Sequence, residues 1–249
     1  MPTTLPSTSA VFSSLLRADL TTQWRNRKSA IMVILVPALI LISWKGLIPQ
    51  FGGAFALSNC ITVGLIAIGL MGYSNSIARD RDKGIFQRLR VAPAPAWSIM
   101  ASRLTVQLVM IIVMTVALFI VGHQYDKITL PASGYALGLL AAIVGGAVYL
   151  SLGQVIVGLI KNPETVNATT RLVYFAFIMI GMFAGLGVLG KDIGDAVNWS
   201  PYGTVKRIIS DSLQTDAWTT KTSMALVITL GYTLVFTTLG IKWFRWNTR

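Results

Sequence analysis

ARDRDKGIFQRLRVAPAPAW, residues 78–97, is a charged stretch set between two apolar runs that are each long enough to cross a bilayer. Six of the chain's 21 basic residues lie in it or just beyond, Arg79, Arg81, Lys83, Arg88, Arg90 and Arg103, with Asp80 and Asp82 interleaved. Such a stretch cannot sit in hydrocarbon, so the chain enters and leaves the membrane around it. Its apolar residues are still patterned: Ile85, Phe86 and Leu89 fall at i, i+1 and i+4 and share one helical face. Pro93 and Pro95 end that helix. A short amphipathic helix held between two spans has the form of an element that another protein grips.

Composition agrees. Hydrophobic residues make up 54% of the 249 and charged residues only 12%, about half the charged fraction of a soluble domain. The fold class expected is all-α, a polytopic membrane protein with six transmembrane helices. The net charge of +12 does not indicate nucleic acid as a partner, because the basic residues flank apolar runs instead of forming one patch with interleaved aromatics. The single Cys60 lies inside an apolar run and reads as a small apolar filler. Residues 1–10 lack a basic n-region, so the mature chain is expected to begin near Met1.

Outward from the charged stretch, the chain divides into an N-terminal amphipathic interfacial segment, 1–28, and a six-span transmembrane domain, 29–249. In the first, Phe12, Leu16, Leu20 and Trp24 recur every four residues among polar ones. The spans are expected at about 29–48, 55–77, 98–121, 135–160, 172–189 and 223–244. Pro37 lies inside the first. The second is the most polar, with Ser58, Asn59, Thr62, Ser74, Asn75 and Ser76, and is expected to pack inside the bundle or line a cavity. Asn162-Pro163 reads as a helix stop, and Gly181 and Gly185 as a GxxxG that serves packing within the chain, with a dimer face as the alternative. An outer segment, 191–221, contains a short amphipathic helix lying on or dipping into the outer leaflet. With the N-terminus in the cytoplasm, basic residues divide fifteen inside to six outside. That follows the positive-inside rule and puts both termini and residues 79–97 in the cytoplasm.

Catalytic groups are scarce. One His and nine carboxylates are all placed in loops or at span ends, so neither an acid pair nor a metal site is expected at membrane depth. His123 is read as interfacial. No G-x-S-x-G and no G-x-x-x-x-G-K-[ST] occurs. The chain is therefore not expected to be an enzyme or to carry a cofactor; if ATP drives it, ATP and Mg bind another subunit.

Residues 78–104 resemble the cytoplasmic signature of type-2 ABC transporter permeases, in which a run of acidic and basic residues precedes Gly, a short helix, Pro and the third span. Asp80 and Asp82 stand where the family usually has Glu, Gly84 matches its Gly, Leu89 its Leu, Pro93 its Pro, and Arg103 a frequent basic residue. Ile85 and Gln87 depart from a common Thr and Glu. The N-terminal amphipathic helix, Pro37, the six spans and the NWSPYG turn (198–203) extend the resemblance over most of the chain. It implies a permease in the cell inner membrane that pairs with a second copy and with two ATP-binding-cassette ATPase subunits. It also implies an amphiphilic substrate, such as a drug, antibiotic, lipid or polysaccharide, moved outward. Residues 79–97 would be the coupling segment, with Asp80, Asp82, Gly84, Ile85, Phe86, Leu89 and Pro93 docking on the ATPase. Ile85, Phe86 and Leu89 would form its apolar grip. Candidates for the substrate path are Asn59, Thr62, Asn75, Gly181 and Gly185.

Three other readings stand beside this one: a secondary carrier built from inverted three-span repeats, a non-transporting assembly subunit, and a membrane-embedded transferase or hydrolase. Against the carrier, the halves share no evident sequence and no ionisable residue is expected at midplane.

Overall fold

The computed structural model describes residues 7–25, 27–91 and 96–244, and every regular element among them is helical. An amphipathic helix α1, Thr8–Arg25, leads into α2, Arg27–Ser43, whose interior holds Pro37. A 3-10 turn, Trp44–Gly46, extends α2, and a helical turn, Ile48–Phe51, joins it to the long α3, Gly53–Asp82. Gly84 then reverses the chain into the short α4, Ile85–Val91. Next come α5, Ala96–Tyr125, α6, Ala132–Leu159, and α7, Pro163–Gly185. The last part consists of α8, Lys191–Asn198, α9, Pro201–Leu213, and α10, Thr220–Trp243.

Five of these helices, α3, α5, α6, α7 and α10, are long and apolar enough to span a membrane, and the chain is a multi-pass membrane protein. The first expected span is shorter, an apolar helix over Ile31–Gly46, below the roughly 20 residues that a full crossing takes.

The centre of the bundle is α3, as its polar and small residues suggest. Almost all of its apolar stretch is buried, under α2, α5, α6 and α9. Over Ala67–Ser74 it winds as a π-helix, a form that marks irregular, often functional, stretches of helix. There Gly69 and Gly153 let α3 and α6 cross at backbone contact: a Cβ on Gly69 would lie 2.5 Å from the Tyr149 carbonyl carbon, and one on Gly153 2.5 Å from the Gly69 oxygen. By contrast α7 and α10 present mostly exposed apolar surfaces, as helices facing lipid do.

One boundary differs from the sequence reading, and local chemistry explains it. Asn162-Pro163 does follow the end of α6 at Leu159, but it also starts α7 at once, nine residues before the expected span. The Asn162 side chain accepts hydrogen bonds from the Glu164 and Thr165 amides, at 2.8 and 3.2 Å, while Pro163 takes the first helical position and Glu164 the first turn. Within the segment 191–221, the amphipathic helix expected on or dipping into the outer leaflet packs its apolar face on the bundle, while α8 has no buried residue. Ser200 caps α9, Pro201 opens it, and Tyr202, Val205, Ile208, Ile209 and Leu213 are buried against α3, α6 and α10. Cys60 is a buried member of the core.

Candidate functional site

Two places gather the residues that the sequence singles out, one at each end of α3. At the first end, Gly84 takes φ +67°, a conformation that an L side chain rarely adopts, and turns the chain from α3 into α4. The direction of the following helix is thereby set. Phe86 is fully buried, edge-to-face with Phe244 at 6.2 Å, and Leu89 packs on the core; Ile85 is half-buried. The apolar grip expected of Ile85, Phe86 and Leu89 is therefore largely taken up by this chain's own core. The face left outward consists of Asp82, Lys83, Gln87 and Arg88. Pro93 lies outside the described residues.

Arg81, between the two Asp residues of the motif, is the largest fully buried side chain. Its Nη1 donates to the Val157 carbonyl at 2.7 Å, and its Nη2 to those of Ile160 and Lys161 at 2.6 and 2.9 Å. These are carbonyls that the end of α6 leaves without helical partners. A cation is also favoured at that end of the helix dipole, so Arg81 clamps the turn before α4 to the end of α6.

Asp80, its neighbour, turns the other way. Arg103 Nη1 meets Asp80 at 2.7 Å, and Arg103 Nε meets Asp19 of α1 at 3.2 Å. Ser102 Oγ donates to the other Asp19 oxygen at 2.5 Å. All three charged side chains are mostly enclosed, and the ion pairs tie α1, α3 and α5 together just above α4. Charges at span ends read equally well as topology signals, so only the fold identifies these as one cluster.

At the second end, Asn59 and Gly181 meet. The Tyr202 hydroxyl donates to Asn59 Oδ1 at 2.9 Å, Asn59 Nδ2 donates to the Phe55 carbonyl at 2.7 Å, and the Tyr202 ring lies where a Cβ on Gly181 would stand. One turn farther along each helix, Gly185 faces Lys206 of α9. The Lys206 ammonium sits 4.3 Å from the centre of the Phe55 ring, which is itself stacked with Phe51 and Trp44. Burial, with Arg207 adding repulsion, pushes Lys206 down to about 8. The GxxxG thus serves packing within the chain. Beside this layer is an apolar cavity of about 300 Å³, lined by Val173, Phe177, Ile180, Gly181, Val197 and Tyr202 among others. Thr62 and Asn75 are elsewhere on α3: Thr62 donates to Ser58 O at 2.7 Å, and Asn75 Nδ2 to Met71 O at 2.9 Å.

The Tyr202 hydroxyl gives a direct test. Tyr202→Phe strands Asn59 Oδ1 in the core and is expected to cost about 1–3 kcal/mol. Thermal unfolding in detergent should show the loss, with Asn59→Leu in the same background restoring part of it.

The family model described as ABC-2 family transporter protein matches residues 49–242. No curated protein matches the sequence. The matched region contains both ends of α3, the α4 turn and the α7–α9 seam.

Proposed function

Because the chain belongs to the ABC-2 family of transporter proteins and is an ABC transporter membrane subunit, we propose that it is the permease of an exporter driven by separate ATPase subunits. The family implies partnership with an ABC ATPase subunit. In this reading a homodimer in the inner membrane binds two such subunits, with α4 and both termini in the cytoplasm. ATP and Mg bind the ATPase, and an amphiphilic substrate moves outward. The orientation rests on the fifteen-to-six division of basic residues.

The observation that carries the reading is the mounting of α4. A short helix is fixed by its buried Phe86, by the glycine turn and by Arg81, and it faces away from the bundle with Asp82, Lys83, Gln87 and Arg88. A face of this kind gives orientation and specificity through charge. Displacement of α4 by nucleotide-driven closure would pass directly into α3 and, through Arg81, into α6.

Arg88→Glu is exposed and breaks no contact in the core, so the protein should still insert and survive heating as wild type does. Recovery of the co-expressed ATPase in a pull-down is expected to fall at least tenfold, and transport with it. Unchanged recovery and transport would remove α4 as the docking element.

A further inference from the structure

We propose that the seam between α7 and α9 is a binding site for an anionic amphiphile, with its hydrocarbon tail in the cavity beside Gly181 and its carboxylate or phosphate head at Lys206. As a site for cargo, this rests on the permease reading above; as a binding site, it stands on its own geometry.

Lys206, which is half-buried, is the exception among the cations that the fold draws in. Arg81 has three carbonyls and Arg103 two carboxylates. Among the described residues, Lys206 has neither a carboxylate within 4.0 Å nor a hydrogen-bond acceptor, and its sequence neighbour Arg207, lying over the Trp199 ring, is another cation. Drawing an ammonium even partly out of water is unfavourable unless an anion or a set of acceptors compensates. The face of Phe55 supplies only part of that. The missing complement is a negative charge, and an amphiphile with a cationic head would meet two like charges there.

The apolar half of the site is in line with Lys206. Val173, Phe177, Gly181 and Gly185 follow one another at four-residue intervals along one face of α7. The first three line the cavity, and the fourth faces the ammonium. On α9 the same step leads from Tyr202 in the cavity wall to Lys206. Ile180, also in the wall, is half exposed, so the cavity opens on the lipid-facing side of α7. Its 300 Å³ is at the lower end of the range for small-molecule sites, about 300–1,000 Å³, and it suits a single alkyl chain.

The test uses the full chain in phosphatidylcholine nanodiscs and two photoreactive probes, a diazirine-bearing dodecyl phosphate and the dodecyltrimethylammonium of equal tail. Cross-linked peptides are quantified by mass spectrometry. The phosphate probe is expected to label residues 173–202 at least tenfold more than the cationic probe. Lys206→Gln should reduce that labelling at least fivefold, and Lys206→Arg should retain it. Equal labelling by the two probes, or labelling unchanged in Lys206→Gln, would overturn the site. Exchanging part of the disc lipid for phosphatidylglycerol separates the sources of the ligand: suppressed labelling assigns the site to a bilayer lipid, and persistent labelling to a single-chain cargo. Recovery of the ATPase with Lys206→Gln, expected at the wild-type level, verifies its fold. A labelled wild type that never recovers an ATPase would sink the permease reading and leave the site standing.

Discussion

Arg81→Met should be strongly destabilising. It keeps most of the buried volume and removes every donor, leaving the Val157 carbonyl unsatisfied in the core, while those of half-buried Ile160 and exposed Lys161 lose a partner nearer to water. Stranding the buried acceptor costs about 1–3 kcal/mol, and the other two add less. Arg81→Lys should fall between the two, because one compact ammonium cannot reproduce a planar fork that serves three acceptors. Size-exclusion profiles after a temperature series would order the three proteins as wild type, lysine, methionine. A methionine variant as stable as wild type would mean that the end of α6 does not depend on Arg81.

Arg103→Met should be at least as severe, for the opposite reason: it strands anions instead of acceptors. Asp19 and Asp80 would be left mostly enclosed with no cation between them, and removing one partner from a buried ionic cluster costs about 3–5 kcal/mol. The cluster also holds α1 to α5, so α1 should become open to protease near Trp24, which is already exposed. Adding Asp19→Asn and Asp80→Asn to Arg103→Met should recover most of the stability, since amides can remain enclosed where unpaired carboxylates cannot. No recovery in the triple variant would show that Arg103 acts by packing and not by charge.

How much of this was legible in the sequence depends on the range of the interaction. The membrane class follows from apolar runs and charge-poor composition, which are properties of single segments. The turn at Gly84 is also local, since a glycine between a charged helix end and a proline-limited short helix admits few conformations. The positions of Arg81 and Arg103 were not legible. Each is a basic residue at the end of a span, where topology alone would put one, and their partners are remote in sequence: 76 to 80 residues away for Arg81, and Asp19 and Asp80 for Arg103. Phe86 turns inward against Phe244, which is farther away still in the sequence. Asn162-Pro163 carried the right signal with half its meaning read: the same pair that ends one helix caps the next. Polar residues on α3 suggested a pathway, but the structure joins only Asn59 to the α7–α9 seam, through Tyr202, which lies 143 residues away in sequence.

The contact of Gly69 with Gly153 has a mechanical consequence. It is sixteen residues from Gly53 and thirteen from Asp82, close to the midpoint of α3, which makes arms of about 24 and 20 Å at 1.5 Å per residue. With glycine at both positions the two backbones meet there, and a tilt of α3 about that crossing would move its two ends by almost equal amounts in opposite directions, so that a sideways push received beside α4 would reappear near Phe55 and Asn59 reversed in sense.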